Sequence, residues 1–92
     1  MENLKKLSSS WNVLWTKTAK KDYEKYPYKD QFLGILEAIK RNPYAGANIK
    51  RLHGEWEGMY RYRKGNYRII YQIRNQELVI LLLAIDVRGS VY

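Results

Sequence analysis

A chain of 92 residues can bury roughly two-thirds of the surface it exposes when unfolded, enough for one modest core and too little for a separate cofactor domain. Cysteine is absent, which excludes disulfides and thiolate metal sites, and no apolar run approaches the ~20 residues that span a bilayer. The net charge of +8, with a pI near 9.8, calls for a polyanionic or acidic partner: nucleic acid, an anionic membrane or an acidic protein.

The first ten residues contain Lys5, Lys6 and the run Ser8-Ser9-Ser10 but no apolar core, so they read as a flexible lead-in (1–10) rather than a secretory signal. A single domain is expected over 11–92. Trp11 to Trp15 is a short aromatic and apolar run, read as a strand. Thr16 or Thr18 can cap a helix that continues to about Tyr26, with Ala19, Tyr23 and Tyr26 on one face. Pro27 ends or bends it. A second helix is predicted from about Tyr28 to Arg41, where Phe32, Ile35, Leu36 and Ile39 form a stripe to be buried. Asn42-Pro43 stops that helix, because a residue before proline avoids the α region.

Residues 44–57 read as a loop or an extended crossing segment, with Gly46, Gly54 and the only histidine, His53. From Gly58 the period changes to two. Met59, Arg61 and Arg63 alternate with Tyr60, Tyr62 and Lys64. After the turn signal Gly65-Asn66, Tyr67, Ile69, Tyr71 and Ile73 alternate with Arg68, Ile70, Gln72 and Arg74. Asn75-Gln76 marks a second turn. Leu78 to Ile85 is a continuous apolar run, as expected of a strand covered on both faces. The expected architecture is α+β: a small antiparallel β-sheet with two N-terminal helices packed on one face, in the order β-α-α-β-β-β.

Charge concentrates in one segment. Residues 50–74 hold seven basic side chains against Glu55 and Glu57, a local +5 of the total +8. Trp56, Tyr60, Tyr62, Tyr67 and Tyr71 lie among them. Arginines interleaved with aromatics on adjacent strands read as a surface that pairs with phosphates and stacks on bases. The plainer reading is a solvated sheet face made of good strand residues. His53 could serve as a general acid or base, or be a loop histidine beside Gly54. One histidine, no cysteine and no acidic cluster give no basis for a metal site, and the glycines lack phosphate-loop spacing.

Ile49-Lys50-Arg51-Leu52-His53-Gly54, followed by Tyr60-Arg61-Tyr62-Arg63-Lys64-Gly65-Asn66-Tyr67-Arg68-Ile69-Ile70-Tyr71, resembles the core of the RelE/ParE toxin superfamily, RelE-like members above all. The ending Ile85 to Tyr92 resembles the family's Arg-x-x-x-Tyr close, and Trp15-Thr16-Lys17 with the Ala19 helix also fits. The resemblance spans about residues 13–92. It implies a metal-independent, cofactor-free endoribonuclease of a type II toxin–antitoxin system, a cytoplasmic mRNA interferase that cuts at the ribosome by 2′-hydroxyl attack. It implies as partners a cognate antitoxin, the ribosome and mRNA, with operator DNA met only through the antitoxin complex and no membrane. By the same resemblance Arg68 contacts the scissile phosphate, Arg88 acts as acid or transition-state stabiliser, and Tyr92 orients or stacks on a base. Arg61 and Arg63 stand where RelE members place lysines; with Lys50 and Lys64 they are expected to bind RNA. Arginine is always protonated and makes a poor base, so a proton acceptor would fall to His53, Lys50, Lys64, Glu55 or Glu57. Asp86 stands near where some relatives carry histidine. The alternative implied by the same superfamily is a ParE-like DNA gyrase inhibitor without nuclease activity, or an inactive member that binds only antitoxin and DNA. A purely structural role for Arg68 would be a cross-strand pair with Glu77 or Asp86.

Overall fold

The computed structural model describes residues 11–26 and 29–87. The proposed lead-in and the C-terminal residues Arg88 and Tyr92 lie outside the described residues. The elements are β1 (Asn12–Trp15), α1 (Lys17–Glu24), α2 (Lys29–Arg41), β2 (Ile49–Arg51), β3 (Met59–Lys64), β4 (Tyr67–Arg74) and β5 (Val79–Val87), with short 3-10 turns at Gly54–Trp56 and Asn75–Glu77. They form a five-stranded sheet in the order β1-β5-β4-β3-β2.

The α+β class and the pair of N-terminal helices are as expected from the sequence. Two features of the expected sheet need correction. It is mixed rather than wholly antiparallel: β1 runs parallel to β5, with Asn12 beside Val79 and Trp15 beside Leu82. The helices carry the chain from β1 across to the far edge of the sheet. The antiparallel series β2 to β5 then brings the last strand back beside the first. Second, the segment read as a loop contains β2, an edge strand pairing Ile49 with Tyr62 and Arg51 with Tyr60.

Each helix forms where local chemistry favours it. The Thr16 side chain caps α1 by accepting a hydrogen bond from the Ala19 N–H at 3.1 Å. Asp30 lies in the first turn of α2, and Lys40 and Arg41 in its last turn, each opposing the charge of the helix end it occupies. Phe32, Ile35 and Ile39 are buried as their spacing predicts. Burial of side chains of this size stabilises by roughly 1.5–3 kcal/mol each. Past α2, Pro43 is itself buried, and its carbonyl oxygen accepts a 2.6 Å hydrogen bond from the Tyr71 hydroxyl. That bond ties the end of the helical layer to the centre of the sheet.

The core lies between the helices and one sheet face. It unites Ala19, Tyr26, Phe32, Ile35 and Ile39 with Tyr62, Ile69, Tyr71, Ile80, Leu82 and Ile85. Aromatic rings fill the end near α1: Phe32 packs against Trp15, Tyr23 and Tyr26, and Tyr26 against Tyr67. Burial, reinforced by the neighbouring Tyr67, pushes the Tyr26 hydroxyl pKa well above its usual value, and burial does the same to Tyr71.

The apolar run expected to be covered on both faces is covered on one. In β5, Ile80, Leu82 and Ile85 are buried towards the helices, whereas Leu81, Leu83 and Ala84 are only half-buried. The spacing of three between Leu82 and Ile85 arises from a bulge. Ile70 pairs with Ala84 and Tyr71 with Leu82, so Leu83 is an extra residue. The turn before β5 places Leu78 at φ 55°, a left-handed conformation that costs a non-glycine residue roughly 1–2 kcal/mol.

Candidate nucleic-acid interface

In a strand, successive side chains point to opposite faces, and cross-strand partners share a face. Ile69 and Ile85 are a buried, paired couple, so their neighbours Arg68 and Asp86 face the other way. The register then lays out the face that the helices leave uncovered. One row across the sheet is Arg63, Arg68 and Asp86. The next row is Lys50, Arg61, Ile70 and Ala84. A third is Met59, Gln72, Leu81 and Leu14, which is 51% exposed. Strands stand about 4.8 Å apart, and same-face residues are about 6.7 Å apart along each strand. Lys50, Arg61, Arg63 and Arg68 therefore start from a patch of backbone about 10 Å by 7 Å.

Four cations in that area repel one another, and Arg63 directly opposite Arg68 is an unfavourable cross-strand pair. Asp86 offsets part of this from the other side of Arg68. Of the two acidic partners the sequence offers Arg68, the register selects Asp86; Glu77 lies 4.0 Å from Arg74 instead. Arg61 is half-buried, and its Nε–H meets no acceptor among the described residues. A guanidinium presents donors in a rigid fork that matches phosphate oxygens. The patch is thus suited to hold a phosphodiester in place and to stabilise added charge on it.

The structure separates other residues that the sequence reading had grouped. The expectation of a mixed arginine and aromatic surface is corrected. Tyr60, Tyr62, Tyr67 and Tyr71 alternate with the arginines at a period of two and therefore lie on the opposite, helix-facing side. Tyr62 and Tyr71 are buried there, and Tyr60 stacks on Tyr71 at 5.8 Å. They form core rather than a base-stacking platform. Lys64 pairs with Tyr67 and shares its face, away from Arg61 and Arg63. It lines a groove of about 530 Å³ with Gln31, Gly34, Ile35 and Tyr62.

His53 belongs to a third region. Its Nδ1 lies 4.0 Å from the Glu57 carboxylate, which is also 3.8 Å from Arg51. All three side chains are well exposed. Arg51 sits two strands across and three residues along from Arg68, roughly 14 Å by strand geometry, and His53 lies beyond it. Glu55 is exposed in the same loop.

Beyond Trp15, β1 no longer covers the edge of β5, and α1 takes its place. The Thr16 hydroxyl donates to the Leu83 carbonyl at 3.2 Å, and the Asp22 carboxylate accepts from the Ile85 N–H at 2.9 Å. These contacts fix the stretch of β5 that carries Asp86. Nothing in the sequence around Asp22 signals this role; the bond joins residues 63 positions apart.

Comparison with known proteins agrees with this architecture. The family model described as the ParE toxin of the type II toxin–antitoxin system, parDE, matches residues 13–92. Toxin RelG of Mycobacterium tuberculosis (strain ATCC 25618 / H37Rv) is 27% identical over 88 residues, covering 89% of this chain and 95% of RelG. A chain of the toxin–antitoxin complex RelBE2 from M. tuberculosis superimposes with a TM-score of 0.72 at 27% identity, over 85% of this chain and 98% of that one. A chain of the archaeal RelE–RelB complex from Pyrococcus horikoshii OT3 gives 0.69 at 26% identity, over 87% and 97%. With a family match that runs from β1 to the end of the chain, and a fold shared with RelE proteins, the protein belongs to the RelE/ParE superfamily of type II toxin–antitoxin toxins.

Proposed function

We propose that this toxin is a ribosome-dependent endoribonuclease that cleaves mRNA without a metal ion, by attack of a 2′-hydroxyl on the adjacent phosphorus. The observation that carries the reading is the gathering of Lys50, Arg61, Arg63 and Arg68 on the sheet face away from the helices. In-line attack places extra negative charge on the phosphoryl oxygens, and preorganised cations stabilise that charge more than the ground state. Arg68, central in its row, takes the scissile phosphate; Arg61, Arg63 and Lys50 hold its neighbours. Arg88 follows directly after β5 and is assigned to the transition state, and Tyr92 to the substrate base, both on the strength of the sequence resemblance. Similarity to RelG and to RelE chains favours ribonuclease over gyrase inhibition.

The setting follows from the same reading. The toxin acts in the cytoplasm, where mRNA and ribosomes are. No described helix is long and apolar enough to cross a membrane. A cognate antitoxin with acidic side chains covers the basic face, as RelB accompanies RelE in the related complexes. Association is therefore expected to slow as salt rises.

The test is cleavage on a programmed ribosome, with mRNA ends mapped by primer extension. Wild type is expected to yield new ends in the A-site codon. Arg68→Ala and Arg88→Ala are each expected to lower the rate by about 10²-fold or more while the fold is retained. Growth arrest by wild type without any cleavage would instead point to gyrase inhibition.

A further inference from the structure

Five aromatic side chains lie within the basic segment 50–74, and the fold turns four of them, all tyrosines, to the helix side of the sheet. The fifth is Trp56, which stays 50% exposed in the turn between β2 and β3. The other two tryptophans have aromatic partners. Trp11 meets Tyr44 edge-on, and Trp15 packs against Tyr23 and Phe32. Among the described residues no ring lies against Trp56.

The turn is built to hold one shape. Gly54 (φ 70°) and Gly58 (φ 88°) take left-handed conformations that glycine adopts without strain. The Leu52 N–H donates to the Met59 carbonyl at 2.9 Å and closes the base of the turn. Within it the Trp56 N–H donates to the His53 carbonyl, and the Glu57 N–H to the Gly54 carbonyl. The Glu57 carboxylate lies 3.8 Å from Arg51 and 4.0 Å from His53. A group held in place before binding loses less freedom when it binds.

The strands that carry the cations lead directly into this turn. Lys50 and Arg61 are cross-strand partners on the open face, and Leu52 and Met59 are the next pair towards the turn. From Arg63, the partner of Arg68, to Met59 is about 13 Å along β3, so Trp56 stands well away from the scissile phosphate. An RNA strand that leaves Arg68 over Arg61 and Lys50 runs towards it. Glu55 and Glu57 disfavour a phosphate at the turn itself, and an acidic antitoxin segment equally. What remains for indole to meet is the uncharged face of a base, and such stacking tolerates any base because each has a π-face.

On the strength of the ribonuclease reading, we infer that Trp56 stacks on an unpaired RNA base remote from the cut and so helps seat the toxin on the programmed ribosome. The base belongs to mRNA or to ribosomal RNA; the chemistry is the same for both. Because the contact is remote from the reacting atoms, it acts on affinity rather than on the chemical step.

The test measures two quantities on programmed ribosomes. One is affinity, with mRNA carrying 2′-deoxynucleotides in the cleavage codon so that it is not cut. The other is the single-turnover cleavage rate at saturating toxin. Trp56→Ala is expected to bind about 5–100-fold more weakly and, once saturating, to cut within a few-fold of wild type. Trp56→Phe should recover much of the affinity, whereas Trp56→Leu, with apolar bulk but no π-face, should not. Abasic nucleotides placed one at a time in the mRNA identify the source of the base. One that weakens wild type and leaves Trp56→Ala unaffected marks an mRNA base; if none does, the base is ribosomal. Wild-type affinity in Trp56→Ala, or recovery by Trp56→Leu as full as by Trp56→Phe, would overturn the stacking role. So would a slower rate at saturation with unchanged affinity, or a fall in melting temperature that accounts for the weaker binding. A loss of antitoxin affinity with ribosome affinity unchanged would overturn it too, giving the turn to the protein partner. Each of these leaves the ribonuclease reading standing. Intact mRNA with wild-type toxin that still arrests growth would overturn that reading and the stacking role with it.

Discussion

The two faces of the sheet are written by the same two strands, residue by residue in alternation. On the helix side, Tyr62, Ile69 and Tyr71 are buried and fixed by packing. On the other side, Arg61, Arg63 and Arg68 collect charge on the face that the two described helices do not cover. One face spends its residues on stability, and the other accepts electrostatic strain for the sake of a binding surface. The difference teaches that the tyrosines and arginines of this motif do separate work, although no more than one residue divides them along the chain.

That division is broken most severely at Tyr71, which is fully buried at the centre of β4. Removing a large buried aromatic costs about 3–5 kcal/mol, a large share of the roughly 5–15 kcal/mol available to a domain. Tyr71→Ala is therefore expected to lose most of the chain's stability in urea denaturation and, with it, all activity. Such a variant shows what the helix side supports and says nothing about catalysis.

A smaller change at the same position isolates the bond to Pro43. Tyr71→Phe keeps the ring but leaves the Pro43 carbonyl oxygen without its donor, at a cost of about 1–3 kcal/mol. The sign of its pH dependence follows from the burial that raises the Tyr71 pKa. The folded state holds the proton to higher pH than the unfolded state does. The advantage of wild type over Tyr71→Phe is thus fully present below pH ~10, where unfolded tyrosine is neutral, and shrinks as pH rises above it. Paired urea titrations at neutral and alkaline pH check this; a gap that stays constant past pH ~10 would contradict it.

Much of this was legible before the fold was known. The stripes of Phe32, Ile35 and Ile39, the Thr16 cap and the hairpin at Gly65-Asn66 are local signals, and each sits where its chemistry predicts. The separation of tyrosines from arginines was also written in the period of two, but adjacency in sequence invited reading them as one surface. Other features depend on distant partners. Three residues of β2 carry too little pattern to announce a strand. The parallel pairing of β1 with β5 depends on how the helices return the chain. The bulge at Leu83 is hidden inside an unbroken apolar run, and it decides that Leu82 and Ile85 both face the core. The meeting of Arg68 with Asp86 rests on that same register, so one end of the site could be suspected from sequence but not placed.

The smallest expected effect sharpens the contrast most, because it moves stability and binding in opposite directions. Arg63 is exposed and directly opposite Arg68. Like charges so placed are destabilising, and relieving such a pair is worth roughly 0.2–1 kcal/mol. Threonine suits a strand and removes the charge. Arg63→Thr is therefore expected to be slightly more stable than wild type, by a few tenths of a kcal/mol, with the gain shrinking at high salt as screening weakens the original repulsion. The same change removes one phosphate contact, so binding to RNA should weaken and its salt dependence become shallower by about 0.7 in the log–log slope expected for a single strand. Thermal melts and RNA titrations over a range of salt read the two effects together. A variant that gains stability and keeps the wild-type salt slope would take Arg63 out of the binding face. One that loses stability would show that the guanidinium packs as well as repels.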